Sequence, residues 1–181
     1  VLVTGATGAL GAHVARHLVA RHGVRHLALT SRRGLAARGA EELVAELRGS
    51  GASVTLAACD AADRGALAEV LSAIPAKHPL TAVVHAAGVF DDTMIMSMTP
   101  ARLAEVLSPK LVAAANLHAL TRELDLAAFV LFSSMGGVTG GVSLGAYSAA
   151  NAALDGLAHH RRSLGLPALA VAWGPWADGQ G

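Results

Sequence analysis

The hydrophobic residues of this chain form short continuous runs, which alternate with longer stretches of helical spacing. Six apolar runs predict strands at Val1–Thr4, His26–Thr30, Ser53–Ala57, Thr81–His85, Ala128–Phe132 and Ala168–Trp173. Continuous apolar runs are typical of strands buried on both faces of a parallel sheet. The pattern therefore predicts an interior sheet that is covered by helices on both sides.

The stretches between these runs predict helices at Leu10–His22, Ala37–Gly49, Asp63–Ala73, Pro100–Leu124 and Tyr147–Leu164. Thr99 before Pro100 is a favourable helix start, because threonine caps well and proline suits the first helical position. Strands that alternate with helices require right-handed crossovers between parallel neighbours. We therefore predict an α/β fold, a Rossmann-type doubly wound parallel sheet in three layers (αβα), in one domain over residues 1–181.

Composition narrows the function classes. The chain has 181 residues, of which 53% are hydrophobic and 15% charged, so a large core is available. The net charge of +1 gives no basic field for nucleic acid. A single cysteine, Cys59, excludes an internal disulfide and favours a reducing, cytoplasmic location. No apolar run reaches the roughly 18 residues of a membrane span. Since the chain lacks an initiator methionine and stops at Gly181 in a glycine-rich stretch, we expect a piece truncated at both ends.

Three glycines lie between the first predicted strand and the first predicted helix. The stretch Thr4-Gly5-Ala6-Thr7-Gly8-Ala9-Leu10-Gly11 has the pattern TGxxGxxG. Such glycines let the backbone turn sharply and approach a pyrophosphate, which rests on the positive end of the helix. The position after an apolar strand predicts a dinucleotide site, and a tight turn without a ligand is the alternative.

The end of the second strand indicates which dinucleotide would bind. NAD sites place an acid there for the ribose 2′-hydroxyl, but this chain has Thr30-Ser31-Arg32-Arg33. Guanidinium groups suit a 2′-phosphate, so NADPH is favoured, with a solvated basic loop as the alternative. Asp60 could meet the adenine amino group, and the segment 85–88 would bring small residues against the cofactor. Both could instead be ordinary strand-end chemistry.

A hydroxyl and a phenol follow near the chain's end and could together polarise and protonate a carbonyl. Ser134 follows the fifth strand, and Tyr147 and Asn151 lie one turn apart on the last helix. A phenol that gives up its proton is helped by a nearby ammonium group. Of the two lysines, Lys77 lies in a polar connection, whereas Lys110 lies among apolar helix neighbours. We favour Lys110; a surface lysine near a proline kink is the alternative.

Together these residues resemble the short-chain dehydrogenase/reductase superfamily, and more closely the ketoreductase domain of modular type I polyketide synthases. Most short-chain reductases have the pattern Tyr-x-x-x-Lys, but here the stretch from Tyr147 ends in Asn151. The ketoreductase domains have the same exchange of positions between the lysine and the asparagine. Further similar stretches are Ser31–Gly34, His78–Gly88, Phe129–Ser134 and Ala172–Trp176. The resemblance covers essentially the whole chain.

The resemblance implies NADPH-dependent reduction of a β-ketoacyl thioester, held on an acyl carrier protein, to a β-hydroxyacyl thioester. Other domains of the same synthase would be further partners. Ser134 would bind the ketone oxygen, Tyr147 would protonate it, Lys110 would support Tyr147 and Asn151 would order the relay and the backbone. The implied cofactor-binding residues are Thr4, Gly5, Thr7, Gly8, Ala9, Leu10, Ser31, Arg32, Arg33, Cys59, Asp60, Ala61, His85, Ala86, Ala87, Gly88, Trp173 and Gly174.

The resemblance also implies the configuration of the product, through Asp92 and Leu144. The stretch Phe90-Asp91-Asp92 is similar to the Leu-Asp-Asp of B-type domains, which give the D-alcohol, although the leucine is replaced. The tryptophan of A-type domains before the fifth strand is absent, with Leu126-Ala127-Ala128 in that place. We expect a B-type domain; a solvated acid pair is the alternative.

The resemblance implies a structural half before the position of Val1 and a lid helix after that of Trp176, so we expect this chain to be the NADP-binding catalytic subdomain. One alternative is a nucleotide-sugar epimerase or dehydratase of the same superfamily, but these keep the lysine that Asn151 replaces. Another is a non-reducing domain that binds cofactor or only scaffolds its synthase. His13 and His17 lie one turn apart without a third ligand, so we predict no metal site.

Overall fold

A computed structural model describes residues 1–176 and contains a six-stranded, fully parallel sheet. The strands are β1 (Leu2–Thr4), β2 (His26–Ser31), β3 (Ser53–Ala58), β4 (Ala82–His85), β5 (Ala128–Ser134) and β6 (Leu169–Trp173). Their order across the sheet is β3-β2-β1-β4-β5-β6. This order confirms the predicted doubly wound α/β fold. The last residues of the predicted domain, 177–181, lie outside the described part.

Helices cover both faces of the sheet. They are α1 (Ala9–His22), α2 (Ala40–Gly49), α3 (Arg64–Ser72), α4 (Pro100–Leu107), α5 (Ala113–Thr121), the short α6 (Gly136–Thr139) and α7 (Gly145–Ser163). Short 3₁₀ turns at Gly34–Ala36 and Ile95–Ser97 were not predicted. Among residues 1–176, no helix is both long and apolar enough to cross a membrane.

Two hydrophobic cores lie on opposite sides of the sheet. Strand β1 shows the division, because Leu2 belongs to the core under α3, α5 and α7, whereas Val3 belongs to the core under α1 and α2. Both side chains are 0% exposed. Successive residues of a strand point to opposite faces, so a strand between two layers is apolar at most of its positions. Burial on both faces therefore explains why the hydrophobic residues of each strand form a continuous run in the sequence.

The predicted single helix at Pro100–Leu124 is wrong, because a π-helical stretch at Ser108–Val112 separates α4 from α5. Proline lacks the N–H that would bond the carbonyl four residues back, and its ring collides with that carbonyl. Pro109 therefore does not fit a regular α-helix here, and one widened turn accommodates it. The next residue, Lys110, lies in this widened turn and is 6% exposed.

The strand order reverses between β1 and β4. In such sheets the crevice at the carboxyl ends of the strands, beside this reversal, is where ligands bind. Thr4 and His85 end these two strands and are paired in register, and Ser134 ends the neighbouring β5. The topology thus brings the ends of β1, β4 and β5 to one edge.

Candidate active site

Two adjoining pockets lie along the carboxyl edge of the sheet, and we call them the two lobes of the cleft. The first lobe, of about 610 Å³, is bordered by Ser134, Tyr147 and Lys110. The second, of about 450 Å³, lies over the ends of β1, β2 and β3. Gly8, Ala86 and Gly88 line both lobes. The volumes are those of small-molecule and cofactor sites, which commonly measure about 300–1,000 Å³.

The glycines of the first loop permit close approaches that other residues would prevent. A methyl group on Gly5 would lie 2.7 Å from the Cα of Ala87, and one on Gly11 would lie 2.2 Å from the carbonyl oxygen of Gly5. Gly5 also has φ of +67°, which side-chain-bearing residues rarely adopt. The loop after β1 therefore packs directly on the segment after β4, and the N-terminus of α1 comes to the cleft.

The second lobe has features that suit an anionic nucleotide. Within the described part, no side chain caps the N-terminus of α1, so its first N–H groups can serve a phosphate. Ser31, Arg32 and Arg33 line this lobe. The hydroxyl of Ser31 is buried and has no hydrogen-bond partner within residues 1–176. Buried polar groups are nearly always paired, so a free donor beside two arginines fits a phosphate ligand.

The first lobe is bordered by a lysine whose ammonium group is fixed by two hydrogen bonds. Lys110 Nζ donates to the carbonyl of Phe132 at 2.9 Å and to Asn151 Oδ1 at 2.9 Å. Asn151 Nδ2 in turn donates to the carbonyl of Tyr147 at 2.8 Å. The ammonium lies 5.7 Å from the centre of the Tyr147 ring. Asn151, which is 0% exposed, thus joins the lysine to the helix that carries the tyrosine.

Ser134 and Tyr147 both border the first lobe, and both lie close to Gly136. A methyl group at Gly136 would lie 3.5 Å from Ser134 Oγ and 3.6 Å from Tyr147 Cε1. Ser134 Oγ accepts a hydrogen bond from the Gly136 N–H at 3.2 Å, which leaves its own proton to be donated. Phe90 packs edge-on against the Tyr147 ring at 5.2 Å. A carbonyl between the hydroxyl and the phenol could receive a hydrogen bond from both.

Burial lowers the pKa of the lysine without removing its charge at neutral pH. Desolvation lowers the pKa of Lys110 to about 8, and the negative charge of Asp155 opposes this effect. An ammonium with a pKa near 8 is still mostly charged at neutral pH. The alternative of a surface lysine is therefore wrong, because this side chain is enclosed by protein and paired with Phe132 and Asn151.

Seventeen of the eighteen residues expected to bind a cofactor line one of the two lobes. Ala9, Leu10, Trp173 and Gly174 line the first lobe, as does the expected substrate residue Leu144. Thr4, Gly5, Thr7, Ser31, Arg32, Arg33, Cys59, Asp60, Ala61 and Ala87 line the second, and Gly8, Ala86 and Gly88 line both. The exception is His85, which is 0% exposed and lies behind the wall. Its side chain cannot touch a ligand in the cleft.

The acid pair after β4 divides into two environments. Asp91 accepts hydrogen bonds from Arg102 at 2.6 and 3.0 Å and from the hydroxyl of Thr93 at 2.6 Å. The bonds from Arg102 hold the pKa of Asp91 below its usual range. Asp92 is exposed and does not line either lobe. Asp91 therefore ties the loop to α4, and the structure does not bring Asp92 to the wall of the cleft.

Sequence reasoning missed several groups of this site. The carbonyl of Phe132 carries no side-chain signal, since any residue supplies one. Met135 and Gly136 belong to a glycine-rich stretch, whose pattern does not show which glycine borders Ser134. Ser133, which donates to the carbonyl of Asn151 at 3.2 Å, could have been found from the period of two in β5, because adjacent serines point to opposite faces. Residues 1–176 contain no cluster of side chains that could hold a metal.

A family model described as "KR domain" matches residues 1–178. The chain belongs to the KR domain family. This membership confirms the predicted resemblance to ketoreductase domains of modular polyketide synthases. Two curated synthases are similar to nearly the whole length of this chain. Polyketide synthase GfsB of Streptomyces halstedii is 60% identical over 98% of this chain. Mycoketide-CoA synthase of Mycobacterium tuberculosis is 58% identical over 97% of it.

Among solved structures, this KR domain is similar to one described as "Structure of A-type Ketoreductases from Modular Polyketide Synthase". The TM-score is 0.94, and the sequences are 56% identical over 97% of this chain. The chain spans 37% of that structure. It spans only 3% and 4% of the two curated relatives. The relatives are thus far longer proteins, of which this domain matches one small part.

Proposed function

We propose that this KR domain is an NADPH-dependent ketoreductase, and that residues 1–181 form its NADP-binding catalytic subdomain. The reaction would convert a β-ketoacyl thioester on an acyl carrier protein into a β-hydroxyacyl thioester. The hydrogen-bonded series from Lys110 through Asn151 to Tyr147, opposite Ser134, is the observation that carries the proposal. A domain that had lost reduction would not need to keep all four groups around one space.

Preference for NADPH rests on the second lobe. Arg32 and Arg33 offer guanidinium groups where an NAD site would place an acid, and the Ser31 hydroxyl lacks a partner within residues 1–176. The N-terminus of α1 would hold the pyrophosphate, with glycines 5, 8 and 11 allowing the close approach. NADPH would supply the hydride when bound.

The chain's own residues would supply the proton and stabilise the developing charge. Ser134 donates a hydrogen bond to the ketone oxygen, and Tyr147 gives its phenolic proton to that oxygen as the carbon is reduced. The phenolate left behind is stabilised by the Lys110 ammonium, 5.7 Å from the ring centre. Asn151 fixes the position of this ammonium and the backbone of Tyr147 together. The proton is afterwards replaced from water through the cleft.

We further propose that the product is the D-alcohol, as expected from Asp91 and Asp92. The solved structure at 56% identity is described as A-type, so the opposite alcohol is the competing outcome. Leu144 borders the first lobe, beside the space between Ser134 and Tyr147, and would restrict how the acyl chain enters. The other domains of a synthase and its acyl carrier protein are proposed partners.

Turnover by Tyr147→Phe tests the reaction. NADPH consumption with a β-ketoacyl thioester should fall about 10²–10⁴-fold, the usual value of a positioned general acid. Turnover by Ser134→Ala should also fall strongly. Turnover by Ser163→Ala, a substitution at the exposed end of α7, should match that of the wild type. Wild-type turnover by Tyr147→Phe would exclude the tyrosine as the acid. NADH used as well as NADPH would remove the cofactor preference.

Chiral chromatography of the β-hydroxyacyl product tests the configuration in the same assay. The D-alcohol is expected from the wild type. Predominance of the L-alcohol would overturn the B-type assignment without affecting the roles of Ser134 and Tyr147.

A further inference from the structure

His85 is a buried histidine whose two ring nitrogens are both engaged. Nδ1 lies 2.6 Å from the Thr4 hydroxyl, and Nε2 lies 3.1 Å from the carbonyl oxygen of Lys110. A carbonyl can only accept, so Nε2 must carry the hydrogen. Nδ1 of the neutral ring then accepts from the hydroxyl of Thr4. The two partners therefore define one tautomer.

We propose that His85 is a positioning residue for Lys110, which it holds by the backbone carbonyl through a neutral, Nε2-protonated ring. This inference rests on the proposed function, because it assigns His85 a role through the lysine of that site. The histidine touches neither lobe of the cleft, so it acts from the strand behind it.

The widened helical turn explains why the lysine needs such an anchor. Lys110 lies in the π-helical stretch, where hydrogen bonds along the helix are displaced from their regular pattern. A π turn is a less regular support than an α-helix, so the direction of its side chains depends on outside contacts. The bond from His85 connects this turn to the end of β4, a central strand of the sheet.

The same segment also borders the other end of the lysine. A methyl group on Gly88 would lie 2.9 Å from Lys110 Cε and 3.5 Å from Nζ. His85 thus holds the backbone of Lys110, and Gly88 leaves room for its side chain. Both belong to the stretch at and after the end of β4, so one short segment contacts both the backbone and the side chain of the lysine.

The environment keeps the ring neutral. Full burial lowers the pKa of His85 to about 4, and the nearby charge of Lys110 contributes to this shift. Lys110 is the charged group that faces the ring, and Asp155 acts on Lys110 from α7. At neutral pH the histidine therefore carries one hydrogen, as the contact with the Lys110 carbonyl requires.

Two substitutions separate the bond to Lys110 from the filling of the core. In His85→Gln the side-chain amide can reach the position of Nε2 and donate to the Lys110 carbonyl. In His85→Asn it reaches only the position of Nδ1, beside Thr4. We expect kcat of H85N to fall at least about tenfold, equal to about 1.4 kcal/mol in the activation free energy. H85Q should recover most of this loss, and KM should change little in both.

His118→Gln is the matched control, since this partly buried histidine is hydrogen-bonded to Arg161, away from the cleft. It should lower the melting temperature without lowering kcat. Equal kcat for H85N and the wild type would overturn the proposal. An equal loss of kcat in H85N and H85Q, in proportion to the folded protein that each variant loses, would also overturn it.

Nitrogen-15 NMR of the histidine rings in the full-length protein provides a readout independent of turnover. At pH 7 the His85 ring should be neutral, with its hydrogen on Nε2. A ring with its hydrogen on Nδ1, or a charged ring, would overturn the proposal. If the wild type did not consume NADPH at all, the proposed function would fail, and the ring measurement would still decide whether His85 donates to Lys110.

Discussion

Lys110 is the residue at which burial and chemistry conflict most directly. An ammonium group prefers water, yet this one is 6% exposed and has a pKa lowered to about 8. The cost of enclosing it is reduced by hydrogen bonds to Phe132 and Asn151. A cation so placed interacts strongly with a phenolate, because little water screens the pair.

The lowered pKa of Lys110 predicts an alkaline decline in activity. As pH rises through about 8, the ammonium loses its proton, and with it the support for the phenolate of Tyr147. The kcat should therefore begin to fall at about pH 8 and should approach a tenfold decline per pH unit about one unit higher. Measured pH profiles check this, together with a carbon-13 titration of the lysine side chains.

Lys77→Met is the control for this profile, since Lys77 is exposed in the connection before β4. Its pH profile should match that of the wild type. Lys110→Met should have a low kcat with no decline near pH 8. A decline that persists in Lys110→Met would mean that another group titrates there.

At the scale of elements, helix starts and strand ends decide where the cleft lies. Strand β1 ends at Thr4, the glycine loop turns on Gly5, and α1 begins at Ala9 without a side-chain cap in residues 1–176. A glycine in such a loop is required by the closeness of its neighbours. A glycine on an outer helix face has no such reason and only weakens the helix.

Two glycine-to-alanine substitutions should therefore have opposite effects. Gly156 lies on the exposed side of α7. A methyl group added there would lie within 4 Å of no atom of residues 1–176 outside its own stretch of helix. Gly156→Ala should therefore stabilise the fold by about 1 kcal/mol. In Gly11→Ala the new methyl would lie 2.2 Å from the Gly5 carbonyl, and the loop must move. Gly11→Ala should lower stability and weaken NADPH binding. Urea unfolding and a cofactor titration measure both, and a stable Gly11→Ala that binds normally would contradict this account.

For the whole molecule, one buried arginine joins the elements at the edge of the sheet opposite the cleft. Arg161 is 0% exposed, its guanidinium carbon lies 3.8 Å from the centre of the Phe129 ring, and it donates to the Pro167 carbonyl at 3.2 Å. It also donates to His118 Nδ1 at 3.0 Å. Helices α5 and α7, strand β5 and the connection to β6 thus meet at one side chain.

Arg161→Met should lower the free energy of unfolding by about 3 kcal/mol, because the Pro167 carbonyl and His118 lose their donor and the stacking is lost. The exposed neighbour Arg162 is the matched control, and Arg162→Met should change stability by less than about 0.5 kcal/mol. Urea denaturation at pH 7 gives both values. Similar losses in the two variants would show that Arg161 is not a junction of the fold.

Acid should weaken the same junction. Burial and the charge of Arg161 lower the pKa of His118, so the unfolded chain binds a proton more readily than the folded one. Stability is then lost as pH falls below the ordinary histidine range, about 6.5. In Arg161→Met this dependence should be smaller, since one cause of the lowered pKa is gone.

The sequence alone determined the layering, the strand ends and most of the cleft's lining, because these follow from local patterns. Continuous apolar runs require burial on both faces, and TGxxGxxG after a strand places a turn at its end. Ser134, Tyr147 and Asn151 could be grouped since they are close along the chain, on β5 and α7. Lys110 was reached only by excluding Lys77 and through the family resemblance.

Only the tertiary structure decided how Lys110 is held. The widened turn around Pro109, the carbonyl of Phe132 and the ring of His85 come from three distant parts of the chain. Backbone carbonyls and turn geometry leave no mark in a sequence, because every residue has a carbonyl and a proline can be accommodated in several ways. Contacts between β4, β5 and the helical segment between them depend on how the layers pack. The pattern of residues along a single element carries no information about this packing.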